Sequence, residues 1–345
     1  MRDGRFFAAL VFPLLLAALF LAVSLSMAWG QIDIPPECVP AILCRRAGLP
    51  FFADVTVTPE EEAVLLHIRL PRTLVGVMVG AGLGASGTVM QGIFSNPLAD
   101  PGIIGVSSGA AVGAVAAIAF GLSESSLFAL PISALLGSLA AVTLTVLLAM
   151  RHGKIPMMTL LLSGVVVGMM LGAVTAGLLT VISEQKIHQY LFWTIGGLDY
   201  RRWEHVAMGV GPISAGVAVM FLLARHLNIL VLGDVEAKAV GMPVAKYRLG
   251  LMALASLVTA TGVCISGNIG FVGLVVPHMM RLIVGPDHRR LLPASTLAGA
   301  AFLVLCDAVG RVVASPTEVR VGIMTAFIGT PYFLWLLRRS QKTLE

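Results

Sequence analysis

The sequence predicts an all-α polytopic membrane protein of about ten transmembrane helices. Three observations predict it. Hydrophobic residues make up 57% of the chain and charged residues only 12%, whereas a soluble domain carries about 25% charge to face water. The apolar residues are gathered into long runs separated by short polar stretches. Glycine occurs 37 times, as expected where membrane helices approach through small side chains.

The first apolar run, 6–29, follows Arg2 and Arg5. It exceeds the roughly 7–15 residues of a signal peptide's apolar region and is read as an uncleaved span. A polar stretch, 31–67, comes next, with Pro35, Pro36, Cys38, Cys44 and the triplet Glu60, Glu61, Glu62. If that stretch lies outside the cytoplasm, a Cys38–Cys44 disulfide is one expectation. Cys264 and Cys306 sit inside apolar runs and read as packing residues.

The second span, 74–92, ends at a polar turn with Asn96, Pro97 and Pro101. Spans at 103–120, 127–150 and 157–181 follow, and Arg151 to Lys154 closes the fourth. A connection at 183–204 holds Phe192, Trp193, Tyr200 and Trp203, aromatics suited to a membrane interface. The sixth span is 206–223. After a polar stretch at 225–248 the apolar pattern resumes at 249–266, 271–284, 291–312 and 321–337. Ten spans put both termini on one side. Loop Lys and Arg favour the cytoplasm for them, although Arg45, Arg46, Arg69, Arg72, Arg201 and Arg202 then fall outside unexplained.

Several function classes are excluded by what the chain lacks. The net charge of +5 is scattered between apolar runs, not gathered into a nucleic-acid stripe. No Gly-x-x-x-x-Gly-Lys-Ser/Thr occurs, so ATP would have to be bound by another subunit. No HExxH motif and no clustered His/Cys/Asp set supports an intramembrane enzyme.

Five constellations stand out. Arg69 and Arg72, three residues apart, share a helix face and suit carboxylate partners, or else anchor a helix end. The Phe94 to Gly102 turn is a fixed reversal that could line a pathway mouth. Asp234, Glu236 and Lys238 alternate with small residues, compatible with a short surface helix for a peripheral partner. Glycines and Pro277 interrupt the 267–278 stretch, where backbone lines a cavity or helices pack closely, and His278 reads as a hydrogen-bonded packing residue. Asp307 and Arg311 stand four apart in an apolar run and neutralise each other or reach water. Asp307 is also the coupling acid of the alternative reading, an ion-gradient-driven secondary transporter.

RLPRT (Arg69 to Thr73), QGIFSNPLADPGIIGVSSG (Gln91 to Gly109), FVGLVVPH (Phe271 to His278), PDHRRLLP (Pro286 to Pro293) and VGIMTAFIGTPYFLWLLRR (Val321 to Arg339) occur in this order. Together they resemble the FecCD-type permeases of type II ABC importers, the family of vitamin B12, haem and ferric-siderophore permeases. The resemblance implies a single permease domain over 1–345, with 31–67 extracytoplasmic and 225–248 coupling to an ATPase. It implies a homodimer, two ATP-binding subunits that hold the ATP and magnesium, and an extracytoplasmic binding protein. No cofactor or metal would belong to this chain itself.

Residue by residue, the resemblance implies docking of the binding protein at Arg69, Arg72 and Arg311. It implies ATPase coupling through Gly233, Asp234, Glu236, Lys238 and Gly241. Asn96, Leu98, Met157 and Met158 fall at the expected gate, where two methionines depart from the small polar residues of the B12 permease. The cargo implied is an iron chelate (ferric siderophore or haem) or cobalamin, with a lean to the iron chelate. His188, Tyr190, Phe192 and Trp193 could meet a planar macrocycle, although interfacial anchoring is their plainer role.

Overall fold

With no water in a bilayer interior, a spanning chain must satisfy its backbone within each segment, and apolar runs therefore become helices. The computed structural model describes residues 3–32, 34–52, 54–150 and 155–341, without the side chains of 3–9 and 335–341. Its helices are α1 (Asp3–Ala28), α2 (Cys38–Arg46), α3 (Pro59–Val64), α4 (Leu70–Ile93), α5 (Val106–Ala119), α6 (Leu122–Ser125), α7 (Ala129–Ala149) and α8 (Met157–Thr180). They continue as α9 (Glu184–Ile195), α10 (Trp203–Leu222), α11 (Ala224–Leu230), α12 (Asp234–Ala239), α13 (Val244–Ser266), α14 (Val272–Val284), α15 (His288–Val313) and α16 (Val321–Gln341). A π turn, Leu65–Arg69, joins α3 to α4, and a 3-10 turn, Pro101–Ile104, precedes α5. No strand occurs among the described residues.

Among the described residues seven helices are long and apolar enough to cross a membrane, and Val106–Ala119, Val272–Val284 and Val321–Leu334 are shorter apolar helices. Together they are the ten spans expected from the sequence. α4 and α13 are the most enclosed, with α15 beside them, whereas α1 and α8 leave most of their surface uncovered.

The core is organised by a seam between α4 and α15, which run antiparallel. A Cβ on Gly80 would overlap the backbone of Gly299, and one on Gly84 the backbone of Ser295. One turn further, Gly87 meets Gly273 of α14 in the same way. Backbone approach this close is possible only without side chains, and dispersion contacts accumulate along its length. A second glycine seam, Gly109 against Gly137, joins α5 to α7.

The 31–67 stretch is more ordered than its polarity suggests. Cys38, Ala41 and Ile42 of α2 bury against Met27, Ile34 and Leu65. α3 starts with a capping box: the Thr58 hydroxyl accepts from Glu61 N at 3.2 Å, and Glu61 Oε2 accepts from Thr58 N at 2.8 Å. The expected Cys38–Cys44 disulfide is not formed, and both thiols are free. The two cysteines share one helix six positions apart, about 9 Å of rise, beyond the roughly 7 Å reach of a disulfide.

Candidate functional site

Two clusters, at opposite ends of the α4–α15 seam, gather the residues singled out in the sequence. At the first end the π turn and the start of α4 present Arg69 and Arg72 toward α1 and α15. Arg69 donates to the carbonyls of Met27 (2.6 Å) and Ala28 (2.7 Å) and to that of Ile32. It thereby closes the C-terminus of α1, whose last carbonyls have no partner within the helix. Arg72 grips Asp307 through Nε (3.0 Å to Oδ2) and Nη2 (2.8 Å to Oδ1), a bidentate fork. Its Nη1 donates to Glu318 at 2.8 Å.

Arg311, one turn after Asp307, lies 3.3 Å from Asp307 Oδ2. It donates to Trp29 O at 3.1 Å and to Ser26 Oγ at 2.7 Å, and Ser26 also bonds Thr73 at 2.7 Å. The structure thus unites all three expected docking arginines, and it buries them: Arg69, Arg72 and Arg311 are 3%, 8% and 3% exposed. Only the Glu318 side chain, 27% exposed, reaches the surface of the lattice. Asp307, the candidate coupling acid, is enclosed by two guanidiniums and is 2% exposed. The sequence does not single out Glu318, because a glutamate in a short polar loop carries no local signal of a partner 246 positions away.

At the other end α4 gives way to the 94–105 turn. Ser95 takes φ 47°, and Asn96 Oδ1 accepts from Leu98 N at 2.9 Å, an Asx turn that fixes the reversal. Asp100 Oδ1 accepts from Gly102 N at 2.7 Å and starts the 3-10 turn. That turn lies against α8, where a Cβ on Gly164 would overlap Ile103. Asn96 is exposed and Leu98 half-buried. Met157 and Met158 are the first two residues of α8; Met157 packs on the core and Met158 is 69% exposed.

α12 is the short surface helix that the charge alternation suggested. Gly233 (φ 114°) and Gly241 (φ 79°) bracket it, conformations that side chains resist. Ala237 is its buried anchor, while Leu232, Val235 and Val240 around it are exposed. Asp234 pairs with Arg248 at 2.6 Å, and that hydrogen bond holds its carboxyl below the usual range. Glu236 and Lys238 point to the surface. A cavity of about 570 Å³ lies between α12 and the starts of α8 and α13, lined by Met157, Asp234, Lys238, Met242, Arg248 and Met252 among others. The expected coupling element and one of the expected gate residues therefore share a single space.

The remaining candidates divide. Tyr190 and Trp193 are buried, 6.4 Å apart and stacked, and so are core residues. Phe192 is exposed beneath the Arg320 guanidinium, 4.6 Å from its ring centre, and His188 stands 3.9 Å from Glu184. Arg320 also pairs with Asp199 at 3.0 Å and donates to the Phe192 carbonyl, tying the start of α16 to α9. His278 packs against Tyr332, but its ring nitrogens find no hydrogen-bond partner among the described residues, a departure from the hydrogen-bonded role expected of it. No group of three His, Cys, Asp or Glu side chains there could hold a metal.

The site thus has two parts: a buried ionic lattice at one end, and a surface helix with a fixed turn at the other. The chain is 48% identical over 281 residues to the cobalamin import system permease of Halobacterium salinarum, covering 81% of this chain and 75% of that one. It is 42% identical over 283 residues to the hemin transport system permease of Yersinia pestis, covering 81% and 84%. The structure superposes on an inward-facing conformation of a metal-chelate type ABC transporter with a TM-score of 0.84 at 32% identity, covering 96% and 99%. The FecCD transport family pattern matches residues 15–339, and the chain belongs to that family as the membrane-spanning permease subunit of an ABC importer.

Proposed function

We propose that two copies of this chain form a pathway for a metal-bearing macrocycle, energised by two ATP-binding subunits and loaded by an extracytoplasmic binding protein. Cobalamin and haem, named in the relatives' functions, share that chemistry; a ferric siderophore is the neighbouring class. ATP and magnesium act on the partner subunits. In this reading the α12 end faces the cytoplasm together with both termini, and the arginine end faces out.

The observation that carries the reading is the cavity shared by α12 and Met157. A partner that grips the exposed Leu232, Val235 and Val240 would move Asp234, Lys238 and Gly241, and with them the floor on which Met157 rests. Asn96 and Leu98 form the second gating element, held by a rigid turn that abuts α8. At the far end Arg72 is the arginine in contact with a partly exposed carboxylate, while Arg69 and Arg311 brace it from the α1 side.

The test is reconstitution. The chain, co-expressed with the ATP-binding subunits of its transport system, is purified and placed in liposomes. Uptake of labelled cobalamin, haemin and a ferric siderophore is then followed with and without ATP and binding protein. Uptake of one of the first two that needs both is the expected result. Failure to associate with any ATP-binding subunit, or uptake driven by an ion gradient alone, would sink the proposal.

A further inference from the structure

Among the described residues the ionic lattice joins three guanidiniums, Arg69, Arg72 and Arg311, to the carboxylates of Asp307 and Glu318 and to the carbonyls that end α1. Asp307 is 2% exposed and held from two sides, so it cannot leave without stranding two buried cations. Arg69 is satisfied by the carbonyls ending α1. Among the described residues the exchangeable contact is Arg72 Nη1 to Glu318 Oε2, 2.8 Å, with the Glu318 side chain 27% exposed.

Glu318 also occupies a mechanically informative place. It lies in the strap between α15 and α16, where Val319 N donates to Gly310 O at 2.9 Å and Pro316 O accepts from Gln31 Nε2 at 2.8 Å. Two residues on, Arg320 clamps Asp199 and the Phe192 carbonyl. α16 begins at once, and its Ile323, Ala326 and Phe327 line an open apolar hollow of about 620 Å³ with Ile195. Whatever holds Glu318 therefore helps to hold the start of α16.

We infer that Glu318 is an internal stand-in for an acidic side chain of the delivering protein. An incoming carboxylate takes its place on Arg72 Nη1, and the released strap frees the start of α16. The exchange conserves charge on Arg72, so the buried guanidinium is never left half-satisfied. It also explains how arginines so deeply buried could serve docking: only one hydrogen-bonding edge of one of them needs to change partner. The inference rests on the proposed docking at this end.

The test uses the complete reconstituted transporter and its binding protein. E318Q removes the competing charge and keeps the side-chain shape, so the binding protein should bind roughly three- to tenfold more tightly, the range of a partly exposed charged hydrogen bond. R72M should weaken binding by more than tenfold. Unchanged or weaker binding to E318Q, alongside a weakened R72M, overturns the stand-in role and leaves docking at Arg72 standing. Wild-type binding by R72M overturns both. A nitroxide on Thr317→Cys, in a Cys44→Ser background with Glu318 intact, gives a reading that needs no altered lattice. Its mobility should rise when the binding protein docks, and an unchanged spectrum overturns strap release.

Discussion

The two ends of the molecule are held by different physics. The arginine end is a closed lattice in which each guanidinium meets a carboxylate or a row of carbonyls. The α12 end has exposed charges, tight turns and a hollow. Buried ions are costly to leave unpaired and so resist motion, whereas exposed pairs contribute little and are easily exchanged. The difference teaches where rigidity is stored. One end stores its rigidity in buried ion pairs, and the other keeps its charges exposed and readily exchanged.

The largest expected effect comes from breaking the rigid end. Asp307→Asn would leave Arg72 and Arg311 with a neutral partner in a site 2% exposed, at a cost of about 3–5 kcal/mol. Thermal unfolding of the detergent-solubilised protein should show a large drop, or the variant should fail to accumulate in the membrane. A melt like the wild type would mean that water reaches the lattice and would remove the contrast between the ends.

Asp234→Asn at the α12 end should behave in the opposite way. Its partner bridge is 49% exposed on the Asp234 side, so stability should change by less than about 1 kcal/mol, while ATP-coupled uptake falls. The pH dependence follows from the depressed carboxyl, held down by the Arg248 hydrogen bond. The bridge contributes wherever pH exceeds the unfolded value of about 3.9, and it is lost as pH falls through the lower folded value. The stability difference between wild type and variant should therefore be flat from about pH 5 to 8 and shrink only below about pH 4.

Asn96→Ala removes one capping bond to Leu98 N and should cost about 0.5–1.5 kcal/mol. Its sharper signature is local, faster amide exchange at Leu98 and Ala99. The smallest perturbation uses the thiols. Cys38 is buried and Cys44 half-exposed, so a maleimide should modify Cys44 first, and non-reducing electrophoresis should show no change on reduction. Oxidised Cys38–Cys44 in the purified protein would contradict the helical spacing of α2.

The ten spans were legible because bilayer burial writes itself as long apolar runs, and every such run became a helix. α12 was legible because Asp234, Glu236 and Lys238 alternate beside two glycines. The Asp307–Arg311 spacing of four also announced a pair. What stayed hidden was long-range. Arg72 meets Asp307 across 235 positions, and nothing near either residue encodes that distance. α2 reads as polar loop because only Cys38, Ala41 and Ile42 face inward, and their partners come from α1 and the π turn. Tyr190 and Trp193 misled for the same reason: an aromatic in an amphipathic helix has one appearance whether its ring faces lipid or core.

The seam of Gly80, Gly84 and Gly87 against Gly299, Ser295 and Gly273 has a consequence for how such a protein diversifies. A joint made of backbone has no adjustable parts, so α4, α14 and α15 form a keel that any successful descendant inherits nearly unchanged. The helices around it, α8 and α16 above all, keep their bulky side chains on open faces. Those faces can be resculpted one residue at a time without disturbing the keel. Variation that spares the architecture is therefore expected on those faces first.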